Sequence, residues 1–164
     1  MGRTDIARLT STGATDPTFN PTANGAVRGI GIQSDGQIVL GGDFTTMGGI
    51  GRNFMARVTS TGQLDPNFNP NAAARARAVL IQPDGRIFFG GDFISVGGMS
   101  RIGIVRINTD GSVDTTFDSS TDNVGEDFAF ESTPTLLVGG FFNHIGGLAR
   151  TNLARVGIQS SVCA

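Results

Sequence analysis

Apolar residues along the chain fall in short runs separated by turn signals, and no run has the period of an amphipathic helix. Residues 26–32 alternate bulky and small side chains, as a strand does. An Asp-Gly pair at 35–36 predicts a hairpin turn, because glycine tolerates positive φ. The return run, 38–42, is continuously apolar, which is typical of a strand buried on both faces, and its closing Gly-Gly pair predicts a bulge or a tight corner. With a third, arginine-bearing run at 54–58, the pattern predicts an all-β fold.

The same pattern recurs at a fixed spacing of 49 residues, without insertion or deletion. Two series of glycine pairs mark the period, at 41–42, 90–91 and 139–140 and at 48–49, 97–98 and 146–147. A period of this length indicates repeated supersecondary units that stack on one another. The chain therefore divides into copies 3–51, 52–100 and 101–149 with a partial fourth copy, 150–164, and we predict a single repeat domain over 1–164.

Three residue types recur with the period and are predicted to be structural. They are the arginines Arg8, Arg57, Arg106 and Arg155, the aspartates Asp16, Asp65 and Asp114, and the phenylalanines Phe19, Phe68 and Phe117. We interpret each arginine as the partner of a repeated aspartate, for example Arg57 with Asp16 or Asp65, so that turns are tied together within or between units. The alternative is a ring of arginines that binds phosphates or acidic glycans. The phenylalanines are expected to anchor the core between units.

Composition and charge exclude several classes of protein. The net charge of −2 lacks the basic field of a nucleic-acid-binding protein, and no apolar run is long enough to insert into a membrane. With one histidine, His144, and one cysteine, Cys163, a zinc site or a Ser-His or Cys-His arrangement is not expected. Asp43 and Asp92 supply too few oxygens for calcium, and the acidic run 122–127 is interpreted as a solvated loop. We predict no catalytic residue, no metal site and no cofactor.

Four segments together resemble the delta-60 repeat family. They are Asp-Pro-Thr-Phe-Asn-Pro (16–21), Ile-Gln-Ser-Asp-Gly-Gln-Ile (32–38), Gly-Gly-Asp-Phe (41–44) and Ala-Arg-Leu-Thr-Ser-Thr-Gly (7–13). The resemblance implies a β-propeller-like fold and an occurrence in arrays in bacterial surface proteins and phage structural proteins, and it implies no catalytic residues. The third copy departs from the motif at Pro134, at Phe141 and at Asp118-Ser119.

Three blades are too few for a closed propeller, which takes about four to eight. A ring would therefore need two chains and six blades. Two alternatives stay open at this point, a three-fold β-trefoil or β-prism formed by one chain and an open β-solenoid or filament.

The expected function is that of a non-enzymatic structural protein that self-associates and builds or decorates a larger particle or surface layer. Its expected partners are copies of itself or other structural proteins. The segment from Met1 to Asp5 lacks the apolar core of a signal peptide, and a virion or an extracellular surface is the favoured location. The alternative function is a carbohydrate-binding adhesin or lectin, which the absence of Trp and Tyr disfavours.

Overall fold

The structure, a computed structural model, describes residues 5–132 and 135–158, and these ranges contain strands and no helix. The first unit has β1 (Val27–Ile32), β2 (Ile38–Gly42), β3 (Thr46–Met47), β4 (Ile50–Gly51) and β5 (Met55–Val58). The second has β6 (Ala76–Ile81), β7 (Ile87–Gly91), β8 (Ser95–Val96), β9 (Met99–Ser100) and β10 (Ile104–Ile107). The third has β11 (Val124–Ser132), β12 (Thr135–Phe141), β13 (His144–Ile145), β14 (Leu148–Ala149) and β15 (Leu153–Gly157). The predicted all-β fold is confirmed.

Three antiparallel three-stranded sheets repeat the same order and are called blades here. Blade 1 is β1-β2-β5, blade 2 is β6-β7-β10 and blade 3 is β11-β12-β15, with the Gly-Gly strand in the middle of each. A two-stranded ribbon, β3-β4, β8-β9 or β13-β14, precedes the third strand of each blade. The buried middle strand therefore has a hydrogen-bonded partner on both sides, which satisfies its backbone groups.

The Gly-Gly pair of each middle strand lies opposite a β-bulge in the first strand. The register shifts between Val27 and Gly29, which pair with Gly42 and Gly41. The same shift recurs in the other two blades. A Cβ at Gly42 would lie 2.2 Å from the carbonyl oxygen of Ala26, so only glycine allows this approach. The predicted bulge is thus present, but in the neighbouring strand.

The predicted Asp-Gly hairpin turns are confirmed in the first two blades. Gly36 has φ 83° and Gly85 has φ 88°, both in the left-handed region. In the first turn the Asp35 carboxylate also accepts a hydrogen bond from the amide of Gln37 at 2.9 Å. The corresponding position in the third copy, Pro134, lies outside the described residues.

The blades stack in chain order, and the contact between two consecutive blades is called a joint. Val39 and Met55 of blade 1 share a core with Phe89 and Val105 of blade 2, while Phe88 of blade 2 packs in the core that blade 3 completes. The repeated phenylalanines Phe19, Phe68 and Phe117 are all buried. Blades 1 and 3 each leave one face exposed, so the stack is open and does not close into the three-fold trefoil or prism that one chain would form.

Candidate functional site: the joints and the open faces

Three of the repeated arginines, Arg8, Arg57 and Arg106, pair with the aspartate eight residues further on. Arg57 donates from Nε and Nη2 to Oδ2 of Asp65 at 2.9 and 2.7 Å, and its guanidinium lies 4.6 Å from the ring centroid of Phe68. Of the two partners left open for Arg57, the structure selects Asp65, since Asp16 accepts from Arg8 at 2.8 Å. The three residue types of the repeat therefore meet in one cluster of arginine, aspartate and phenylalanine.

The same guanidinium also reaches across the joint to the next unit. Nη1 donates to the backbone carbonyl 52 residues further on, from Arg57 to Thr109 at 2.6 Å and from Arg106 to Ile158 at 2.8 Å. Arg8 makes the equivalent bond to Ser60. One planar guanidinium thus ties a turn within its own unit to a turn of the next, which an ammonium group could not do with the same geometry.

The exposure of these arginines measures how complete each joint is. The exposed fraction of the side chain is 38% for Arg8, 9% for Arg57 and 0% for Arg106. For Arg155 it is 67%, and this guanidinium donates to Glu131 instead. The residue eight positions after Arg155 is Cys163, which supplies no carboxylate. Arg155 therefore lacks the aspartate and the joint that bury Arg106.

The paired aspartates have lowered pKa values despite their surroundings. Burial alone would raise the pKa of Asp65, but hydrogen bonds from Arg57 and from the amide of Asn67 outweigh it and lower the pKa. For Asp16, hydrogen bonds from the hydroxyl and amide of Thr18, followed by Arg8, lower the pKa from 3.8 to about 2. These carboxylates are ionised at neutral pH, as the ion pairs require.

A second row of charges lies at the bulges. Arg28 is the bulged residue of β1, and its Nε donates to Oδ1 of Asp43 at 2.7 Å. Arg77 takes the same place in blade 2 and donates to Oδ1 of Asp92 at 2.8 Å. The aspartates of the Gly-Gly-Asp-Phe segments are thus held by arginines, and an arginine partner is repulsive to a bound cation.

Blade 3 changes both members of this pair. Glu126 stands at the arginine position and Phe141, which is exposed, at the aspartate position. The carboxylate of Glu126 lies 2.9 Å from Nη1 of Arg77, so the charge contact runs across the joint between blades 2 and 3. In the third copy, therefore, Glu126 forms a contact across the joint, and Phe141 is an exposed aromatic residue.

Blade 1 exposes the face whose equivalent in blade 2 is covered by blade 1. Ile30 and Ile32 are 55% and 68% exposed. The equivalent residues of blade 2, Val79 and Ile81, are covered by the glycines of β1, since a Cβ at Gly31 would lie only 2.7 Å from Cγ1 of Ile81. The two isoleucines define the first open face, beside which Ile6, Phe19 and Ile38 line a shallow apolar depression.

Blade 3 exposes the opposite half of a joint. Exposed residues on its two outer strands, β11 and β15, define the second open face: Asp127, Ala129, Glu131, Leu153 and Arg155. The residues of β5 and β10 are buried at every position, whereas those of β15 alternate between exposed and buried. A strand with this repeated sequence is buried on both faces only when another blade follows it.

A family model described as "Domain of unknown function (DUF5122) beta-propeller" matches residues 33–68 and 82–117. The two matches are offset by the 49-residue period, and each runs from the hairpin turn through the third strand to the repeated phenylalanine. The chain is a β-propeller-like repeat protein. No curated protein matches it.

Of the remaining candidate residues of this β-propeller-like repeat protein, His144 is exposed, and Cys163 lies outside the described residues. His144 lies in the ribbon of blade 3, where its Nδ1 is 3.0 Å from Oδ2 of Asp122. Hydrogen bonds from His144 and from the amides of Asn143 and His144 lower the pKa of Asp122 to about 2. Within residues 5–132 and 135–158, no three His, Cys, Asp or Glu residues are grouped as a metal site would need, and no helix has the length and apolarity to span a bilayer.

Sequence reasoning missed the contacts that define the joints. The 52-residue reach of the arginines and the bulge positions carry no signal in a single unit. The open faces could have been found by asking which apolar strand positions lack a neighbouring unit, since Ile30 and Ile32 match Val79 and Ile81 in the period.

Proposed function

We propose that this chain is a non-enzymatic structural protein that associates with copies of itself end to end and so builds or decorates a larger particle or surface layer. The observation that carries the proposal is the exposure of Ile30 and Ile32 on blade 1, whose equivalents on blade 2, Val79 and Ile81, are covered by blade 1. Burying one isoleucine is worth about 1.5–3 kcal/mol. The first open face therefore has the apolar driving force of a joint.

The two open faces support association in a head-to-tail sense. The first open face presents the half of a joint that blade 2 offers to blade 1, and the second presents the half that blade 1 offers to blade 2. Contacts of this kind are heterologous, and they close into a ring or propagate as a filament. Two copies would bring six blades together, a number within the range of closed propellers. The resemblance to delta-60 repeats supports a place in a surface layer or a virion.

Native mass as a function of concentration tests this proposal. Size exclusion with light scattering is expected to show multiples of the 17.0 kDa chain, with two copies for a closed ring. The variant Ile30→Gln/Ile32→Gln is expected to stay a single chain. Its matched control is Ile50→Gln/Ile94→Gln, because these isoleucines are 53% and 66% exposed but lie outside the open faces.

Two results would overturn the proposal. A wild-type chain that remains a monomer at every accessible concentration has no self-association to explain. Dissociation by the control variant alone would place the contact on the ribbons and not on the open faces.

A further inference from the structure

The third strand of a unit occurs twice at the ends of the stack. Residues 6–9 read Ile-Ala-Arg-Leu and residues 153–156 of β15 read Leu-Ala-Arg-Val, three periods later. β15 pairs with β12 and completes blade 3. Residues 6–9 follow the same pattern but pair with no sheet, and their one bridge joins Leu9 to Thr15 in the turn that follows. The chain therefore presents one third strand with a sheet and one without.

Leu9 and Ala7 are exposed, although their equivalents in the next unit lie in the core. Leu9 is 62% exposed, whereas the equivalent Val58 and Ile107 are completely buried. Ala7 is exposed in the same way, although Ala56 is completely buried. The sequence of 6–9 thus has the side chains that fit the edge of a middle strand, and the described chain gives them no such edge.

The two third strands compete for one position when copies stack. Arg57 reaches from blade 1 to Thr109 of blade 2, so the same joint between copies would bring Arg155 of one copy to Ser60 of the next. That carbonyl already accepts a hydrogen bond from Arg8 of its own chain. Two guanidinium groups cannot occupy this place, and one of the two strands must leave it.

The contacts indicate that residues 6–9, and not β15, keep the position beside Ser60. Arg8 is held by Asp16 at 2.8 Å and lies 4.8 Å from the ring centroid of Phe19, which packs in the core of blade 1. Arg155 is more exposed than Arg8 and is held by Glu131, without the repeated aspartate. Arg8, which has both the aspartate and the phenylalanine of the repeated cluster as partners, therefore keeps the position.

We propose that copies of this chain join by strand replacement, in which residues 6–9 of one copy take the place of β15 on β12 of the next. The inference rests on the proposed self-association and specifies its occupant as a second copy. The register follows from the present pairing of Leu136 with Val156 and of Val138 with Ala154. After replacement, Leu136 faces Leu9 and Val138 faces Ala7 of the partner, so Leu9 becomes buried as its equivalents are.

Cysteine pairs in a Cys163→Ser background distinguish the two arrangements. Paired residues of an antiparallel ladder have Cα atoms about 4.5–5.5 Å apart, within the range that a disulfide spans. One copy carries Ala7→Cys and a mass tag, and the other carries Val138→Cys. Strand replacement predicts that oxidation of the mixture yields a disulfide-linked pair of one tagged and one untagged chain.

A second variant locks β15 in place. Val138→Cys/Ala154→Cys is expected to form a disulfide within one chain, which keeps β15 on β12 and raises the concentration needed for association at least 100-fold. Reduction of the same sample is expected to restore association, so the reduced protein is its own folding control.

The outcomes separate this inference from the proposed function. A tagged-untagged pair together with a locked monomer supports strand replacement. If the locked chain associates as well as the reduced one, strand replacement is wrong while self-association stands. If the wild-type chain does not associate at all, both proposals fail.

Discussion

The completely buried Arg106 and the exposed Arg155 occupy the same position of the repeat, and replacing each by methionine tests how a joint stabilises the chain. Arg106→Met leaves Asp114, which is 5% exposed, with Arg86 as its remaining ion-pair partner and removes the bond to the carbonyl of Ile158. Removing one partner of a buried pair costs about 3–5 kcal/mol where the remaining charge is uncompensated. Because Arg86 still lies 3.1 Å from Asp114, we expect about 1.5–3 kcal/mol, the value of a hydrogen bond to a charged group. Arg155→Met breaks an exposed pair and is expected to cost about 0–1 kcal/mol.

Thermal unfolding followed by circular dichroism measures the difference. For a chain of this size, 1 kcal/mol corresponds to about 2–4 °C in Tm, so Arg106→Met is expected to lower Tm by roughly 3–12 °C. The protein concentration is kept where the wild-type chain is monomeric, so that association does not contribute. The double variant Arg106→Met/Asp114→Asn removes the buried charge that Arg86 then holds alone and is expected to recover part of the loss.

The order of the effects decides the argument. We expect Arg106→Met to cost more than Arg57→Met, and Arg57→Met to cost more than Arg155→Met, which follows the exposure of the three side chains. Equal losses at all three positions would refute the reasoning, since they would show that the arginine acts within its own unit and that the joint adds nothing. A failure of Asp114→Asn to recover stability would show that the buried charge is not the cause.

Three further predictions concern the middle strand, the aspartates and the second open face. Gly42→Ala is expected to cost about 1–3 kcal/mol in chemical denaturation, because its Cβ would lie 2.2 Å from the carbonyl oxygen of Ala26, whereas Gly51→Ala meets no atom within 4 Å and should be nearly neutral. Tm is expected to fall as pH is lowered from about 4 towards 2. The pKa of Asp16 is lower in the folded chain than in the unfolded chain, so its ionised carboxylate stabilises the fold above the unfolded pKa, and this stabilisation is lost as the group is protonated. A Tm that rises over this range would contradict the prediction. Asp127→Ala is expected to lower the chain concentration at which association begins by about tenfold, as measured by sedimentation velocity. The reason is that a contact at the second open face would bury the carboxylate of Asp127, at a position where the other blades carry glycine and alanine. Weaker association of the variant would be the contrary result.

The 49-residue period and the turn chemistry are sufficient to predict the strands of each blade. The Asp-Gly turns and the apolar run of β2 depend on residues close in sequence, so local rules predict them. The choice between Asp16 and Asp65 as the partner of Arg57 could not be made, because both recur with the same period and the period does not say on which side of a joint a side chain lies. That choice depends on how two units pack, which no single unit encodes.

The partner of the aspartate in the Gly-Gly-Asp-Phe segment could not be predicted from the sequence either, because it depends on the bulge. Asp43 was a candidate ligand by residue type, and the structure gives it Arg28 as partner. An alternating strand places Arg28 on the same face as Ile30, but the bulge adds a residue to this strand and re-aims the side chain towards Asp43. The bulge itself depends on a backbone approach at Gly42, which is visible only once the two strands are paired.

One repeat position has two different environments in this chain, and the difference lies outside the unit. Leu9, Val58 and Ile107 are equivalent in the period, yet Leu9 is exposed and the other two are completely buried. Exposure is therefore set by whether a sheet is available to the strand and not by the sequence of the strand. A neighbouring copy that offers β12 to residues 6–9 would change the environment of Leu9 without a change in any blade, because the joint it completes already exists twice within the chain. The inner joints and the proposed contact between copies therefore use equivalent residues in the same packing. A substitution that weakens an inner joint should, at the equivalent residue, also weaken the contact between copies.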